Sequence, residues 1–174
     1  MKKMFLCGLL TAMVLGAGIS EAVQTHLTVR ARSKDAKFIG TSMGGALITI
    51  KDSETGKVLA EGLTAGGTGN TQKIMIEPKT RFGRIADDAT AKFETVIDIS
   101  EPTLLTVDVD APYGLKPNMV RSSTQIWMIP GKDITGDGLI VEVPGFSVST
   151  NAPKEVSMAN NRAAIPVQAR IVMI

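Results

Sequence analysis

The sequence predicts an all-β fold, a single antiparallel β-sandwich, on three observations. About nine short runs of alternating apolar and polar residues follow one another at intervals of about 8–15 residues. Glycine, proline, asparagine and aspartate punctuate the gaps between them. Almost no stretch keeps the 3.6-residue spacing of an amphipathic helix.

The chain opens with Lys2-Lys3, an apolar run from Met4 to Ile19, and the small residues Ser20 and Ala22. This is the pattern of a secretory signal peptide, so cleavage is expected after Ala22, leaving a single domain over residues 23–174. The apolar run is too short and too rich in glycine for a good bilayer span. No later run approaches the roughly 18–20 residues a spanning helix needs, so no membrane span is expected in the mature chain. Cys7 lies inside the leader, and no small-residue lipobox leads into it.

Without Lys2, Lys3 and Glu21 the charges stand at 17 basic against 16 acidic, from 19 and 17 in the whole chain. That near-neutral balance gives no electrostatic case for nucleic acid or an anionic membrane surface. Losing Cys7, the single cysteine, leaves no disulfide, so an exported domain has to rely on a hydrophobic core. Export to the periplasm or cell surface is the expected destination.

Residues 25–32 put Leu27, Val29 and Ala31 on one face and His26, Thr28, Arg30 and Arg32 on the other, a half-buried strand. After the glycine-marked segment 40–45, Ala46, Ile48 and Ile50 alternate with Leu47, Thr49 and Lys51. Asp52-Ser53-Glu54-Thr55-Gly56 then turns the chain into Lys57-Val58-Leu59-Ala60, so residues 46–69 read as a β-hairpin. Gly56 supplies the positive φ of such a turn, and the Asp52 carboxylate folds back onto nearby backbone N–H groups.

Ile74-Met75-Ile76 is a short apolar run, and 79–91 reads as a long loop or short helix. Residues 92–99 and 103–111 look like an antiparallel pair across Ser100-Glu101-Pro102. Gln125–Ile129 is the most apolar strand, Asp133–Gly138 a turn, Leu139–Val143 a strand, and Phe146–Val148 another after the kink at Pro144-Gly145. Val167, Ala169, Ile171 and Met173 alternate through the last strand.

The hairpin sequence G-A-L-I-T-I-K-D-S-E-T-G-K-V-L-A-E-G-L-T-A-G-G-T-G resembles a recurring theme of transthyretin-like sandwiches, including carboxypeptidase regulatory-like and collagen-adhesin B-type domains. The resemblance spans about 25 residues and implies an immunoglobulin- or transthyretin-like topology. It also implies an exported binding, spacer or adhesive module. Some such domains join lysine to asparagine, for which Lys37, Lys51, Glu101, Asn151, Asn160 and Asn161 are the ingredients here.

Catalytic motifs fail on context. Gly40-Thr41-Ser42-Met43-Gly44-Gly45 matches G-x-S-x-G, yet a strand follows it, and the one histidine, His26, precedes Ser42. The Gly66–Gly69 run lacks the G-K-[ST] of a phosphate loop. Asp133-Ile134-Thr135-Gly136-Asp137-Gly138 begins like a calcium loop, but Pro144 occupies the position of the closing glutamate, and a turn is the leading reading. His26 would belong to an amino-terminal copper clamp only if cleavage fell after Val23.

The leading expectation is therefore a non-enzymatic binding or structural module needing no cofactor, acting on an unidentified protein or cell-envelope partner. Its ligand-binding candidates sit on glycine-rich loops: Ser42, Met43, Thr68, Asn70 and Tyr113. The alternative is a periplasmic copper-type protein, with His26, Asp133 and Asp137 as metal candidates. Oligomers could form by edge-strand pairing through Thr25–Arg32 or Pro166–Ile174.

Overall fold

The computed structural model describes residues 21–174. The expected signal peptide lies outside the described residues except for Glu21 and Ala22, so it is an expectation from sequence only. Half of the architecture is strand and almost none is helix: β1 (Val23–Ser33), β2 (Leu47–Asp52), β3 (Val58–Leu63), β4 (Phe93–Ile99), β5 (Thr103–Ala111), β6 (Val120–Met128), β7 (Ile134–Val143), β8 (Phe146–Asn151) and β9 (Gln168–Met173).

The strands form a three-stranded sheet in the order β4-β1-β7, a four-stranded sheet β3-β2-β5-β6, and a two-stranded ribbon β8-β9. The first two share one apolar cluster. Leu27, Val29 and Ala31 of β1, Ile97 and Ile99 of β4, and Val141 and Val143 of β7 meet Ile48 and Ile50 of β2 and Leu105, Val107 and Val109 of β5. Each set is every second residue of its strand, so the period-two pattern decides which side chains leave water. On the opposite face of the four-stranded sheet, cross-strand ion pairs replace apolar contact. Lys51 Nζ lies 2.8 Å from Asp108 Oδ2, and Arg121 grips Asp110 with two bonds of 2.7 Å.

Four expectations are corrected. The pairing is not purely antiparallel, because β1 runs parallel to β7. Strands β4 and β5 are not a hairpin; β4 pairs with β1 while β5 crosses to the other sheet between β2 and β6, so Ser100-Glu101-Pro102 is a corner. Strand β1 is central, and its second face is covered too: Thr28 is 3% exposed and Arg30 1%. The segment Thr25–Arg32 is therefore no open edge.

Residues 133–138 form no simple turn. Strand β7 already begins at Ile134, and its register against β1 jumps between Leu27↔Ile134 and Val29↔Leu139. The bulge turns the carbonyls of Gly136 and Asp137 toward Arg30, whose Nη2 and Nε donate to them at 3.1 and 3.2 Å. Its Nη1 donates to Thr90 O and, at 3.1 Å, to Ala91 O. The segment 79–91 is an irregular loop that packs over β1 with a second apolar cluster of Phe38, Ile74 and Ala86. A buried guanidinium is tolerated here because backbone carbonyls receive its protons.

Candidate functional site

The hairpin positions one wall of the candidate site. Strand β2 is entered through a 3-10 turn, Thr41–Met43, closed by Gly44 at φ 77°. Thr64 ties this entrance to the return of the hairpin: its Oγ1 donates to Ile39 O at 2.8 Å and accepts from the N–H of Ala46 at 2.9 Å. The Gly66 region is held alongside, with Thr41 N–H donating to Gly66 O at 3.0 Å and Gly66 N–H donating to Thr41 Oγ1 at 3.1 Å.

Against this wall lies an apolar cavity of about 460 Å³. Phe38, Ile39, Met43, Met75, Met173 and Ile174 make its floor and sides, and Asp35, Lys37, Ser42, Thr68 and Thr71 bring polar groups to it. Lys37 Nζ donates to Thr71 Oγ1 at 3.4 Å, so one cation is already directed along the rim. An apolar hollow with a few hydroxyls and one charge of each sign suits a ligand with a hydrocarbon body and a polar end.

Three of the five loop candidates, Ser42, Met43 and Thr68, therefore come together. Asn70 acts one step back: its Oδ1 accepts from Lys73 N–H at 3.2 Å and its carbonyl from Ile74 N–H at 3.0 Å. These bonds start the single π-helical turn Gln72–Ile76, which carries Met75 to the cavity. Tyr113 is not among the lining residues; its N–H donates to Gly45 O at 2.8 Å and its ring lies 4.4 Å below Lys116 Nζ.

Sequence reading missed Phe38, Ile39, Met75, Met173 and Ile174. They come from three separate stretches, and nothing local marks them as neighbours. Ser42 sits in a 3-10 turn feeding a strand, not in the strand-to-helix elbow a hydrolase nucleophile uses.

The metal candidates are drawn into backbone contacts. Asp133 Oδ1 accepts from the backbone N–H of His26 at 2.8 Å. Asp137 accepts from Ile85 and Ala86 N–H at 2.8 and 3.1 Å, with Arg84 Nε at 3.8 Å. His26 itself borders a separate hollow of about 290 Å³ with Thr28, Glu94 and Thr135. Among the described residues, no group of three or more His, Cys, Asp or Glu is placed to hold a metal ion.

In comparison with known proteins, no family model, no curated protein and no solved structure matches the chain.

Proposed function

We propose that the chain is an exported, non-enzymatic β-sandwich module of the periplasm or cell surface that binds an amphiphilic ligand with a short hydrocarbon body. The observation that carries this reading is the 460 Å³ cavity, where six apolar side chains from loop, turn and chain end converge beside the hydroxyls of Ser42, Thr68 and Thr71. Its volume falls in the range of small-molecule sites, about 300–1,000 Å³. The signal pattern of residues 1–22 supports export. The shared core of the two larger sheets supports the sandwich.

The test is calorimetric titration of decanoate and decanol into the purified protein, with Met43→Glu and Met75→Glu as variants. Saturable binding that each variant weakens by roughly tenfold or more supports the site. No heat at millimolar ligand, or binding by both variants as tight as that of the wild type, overturns it. Amino-terminal sequencing of protein recovered from the periplasm is expected to begin at Val23.

A further inference from the structure

Residues 146–173 form an arm whose apolar face stands exposed, with Met173 also lining the cavity. Strands β8 and β9 pair with each other and, among the described residues, with no other strand. Their register sets Phe146 opposite Met173, Val148 opposite Ile171 and Thr150 opposite Ala169, so these six share one face. The four large apolar ones are 56–66% exposed. Every residue from 151 to 170 is exposed.

The same alternation runs on past the ribbon. Val156 and Met158 keep the even numbering of Val148, and Ile165 and Val167 keep the odd numbering of Ile171, all of them exposed. The arm is closed at its tip by Asn160 and Asn161, at φ 51° and 57°, between the bridged residues Ala159 and Arg162. Two successive positive φ values match the twist of paired strands, so the tip turns as a hairpin does, while 152–158 and 163–167 join it to the ribbon without strand pairing.

A two-stranded ribbon is at best marginally stable in water, and an apolar face this long calls for a cover. The eight exposed apolar side chains present on the order of 800 Å², about what each partner contributes to a standard-size protein interface. A second copy supplies the matching surface without any further assumption, because a two-fold axis sets the face against itself. Its centre, with Thr150, Ala152 and Ala169, holds small side chains that let two ribbons approach.

We propose that this arm is a dimerisation element, its apolar face packing on the same face of a second copy across a two-fold axis. Charge separates this occupant from a lipid surface. Each arm carries Lys154, Arg162 and Arg170 against Glu155, so two arms repel weakly and salt strengthens their association. Attraction of the same arm to an anionic bilayer weakens with salt.

The experiment is sedimentation equilibrium of the purified protein at micromolar concentration, at low and high salt, with two double variants. The wild type is expected as a dimer that tightens with salt. Val148→Asp with Ile171→Asp is expected to raise the dissociation constant at least roughly tenfold, whereas Ser149→Asp with Gln168→Asp, on the opposite face, leaves it unchanged.

Ile171→Cys in a Cys7→Ser background provides a readout that does not depend on losing structure. A disulfide-linked dimer that forms under mild oxidation, and that Val148→Asp prevents, supports the interface. A monomeric wild type whose arm amides remain protected from hydrogen exchange overturns it. So does dimerisation indifferent to Val148→Asp with Ile171→Asp, or a monomer that binds phosphatidylglycerol vesicles through the arm. The assembly test does not depend on the cavity, since decanoate binding is read separately on the Met43 and Met75 variants.

Discussion

Arg30 and Asp137 hold each other's surroundings in place from opposite ends of the β7 bulge. The Arg30 Nε donates to the Asp137 carbonyl at 3.2 Å, while the Asp137 carboxylate receives the N–H groups of Ile85 and Ala86. Burial draws the Arg30 guanidinium below its ordinary pKa, and the neighbouring Asp137 charge opposes that fall. The pair couples β1, β7 and the 79–91 loop through hydrogen bonds to main chain.

Arg30→Met should therefore be among the most damaging single changes. It leaves the carbonyls of Thr90, Ala91, Gly136 and Asp137 without the partner they have now, in a place where the arginine is 1% exposed. The expected loss is about 3–5 kcal/mol. Asp137→Asn keeps an acceptor for one of the two loop amides and should cost about 1–2 kcal/mol. Urea unfolding measures both, and an Arg30→Met cost equal to that of an exposed arginine would contradict the arrangement.

Acid should destabilise the fold through three carboxylates. Asp52 is held below the usual aspartate range mainly by the backbone N–H of Thr55 and then that of Glu54, Asp87 by the Thr90 hydroxyl, and Asp108 by Lys51 and then Ser123. A depressed folded-state pKa means stability that is present above the unfolded value of about 3.9 and is lost as pH falls through the folded value. The melting temperature should thus hold steady down to about pH 4 and then drop. Asp108→Asn should lower the plateau and flatten the acid limb, and an unchanged limb would show that Asp108 does not contribute.

Two glycines should separate backbone strain from crowding. Gly56 has φ 71° with open space where a Cβ would point, so Gly56→Ala should cost about 1 kcal/mol from the left-handed backbone alone. Gly44, at φ 77°, would place a Cβ 2.5 Å from Gly114 N and 2.7 Å from Gly114 Cα. Gly44→Ala has to push the Thr41–Met43 turn away from residues 113–118, at about 3 kcal/mol, and should weaken decanoate binding because Met43 moves with it. Thermal unfolding ranks the two, and titration shows whether Gly44→Ala alone affects the ligand.

The hairpin was legible because all its determinants are local. Alternation set the buried face of β2, and Asp52 and Gly56 turn the chain as their chemistry directs, with Asp52 Oδ1 accepting from Glu54 and Thr55 N–H at 2.9 and 2.8 Å. Arg30 was illegible for the opposite reason. A charged residue on the polar phase of a strand reads as solvent-facing, and only the distant 79–91 loop and the β7 bulge supply the carbonyls that bury it. Trp127 erred the other way, since the most apolar run lies on an edge strand and leaves that ring 58% exposed. The cavity shows the same limit: Met43 could be found on its glycine loop, whereas Met75 and Met173 join it only through the tertiary fold.

Ile174 links the core, the arm and the cavity, and so offers the most informative single truncation of a side chain. It is 9% exposed, belongs to the main apolar cluster, lines the cavity, and donates its N–H to Gly145 O at 3.0 Å beside the start of the arm. Ile174→Ala removes cavity wall without touching that hydrogen bond. Stability should fall by about 2–3 kcal/mol, in keeping with a large aliphatic side chain lost from a packed site. The enlarged hollow should at the same time move the preference among straight-chain carboxylates toward longer chains, read by comparing octanoate, decanoate and dodecanoate by calorimetry. A loss of stability with the chain-length preference unmoved would place Ile174 in the core but exclude it from the ligand's path.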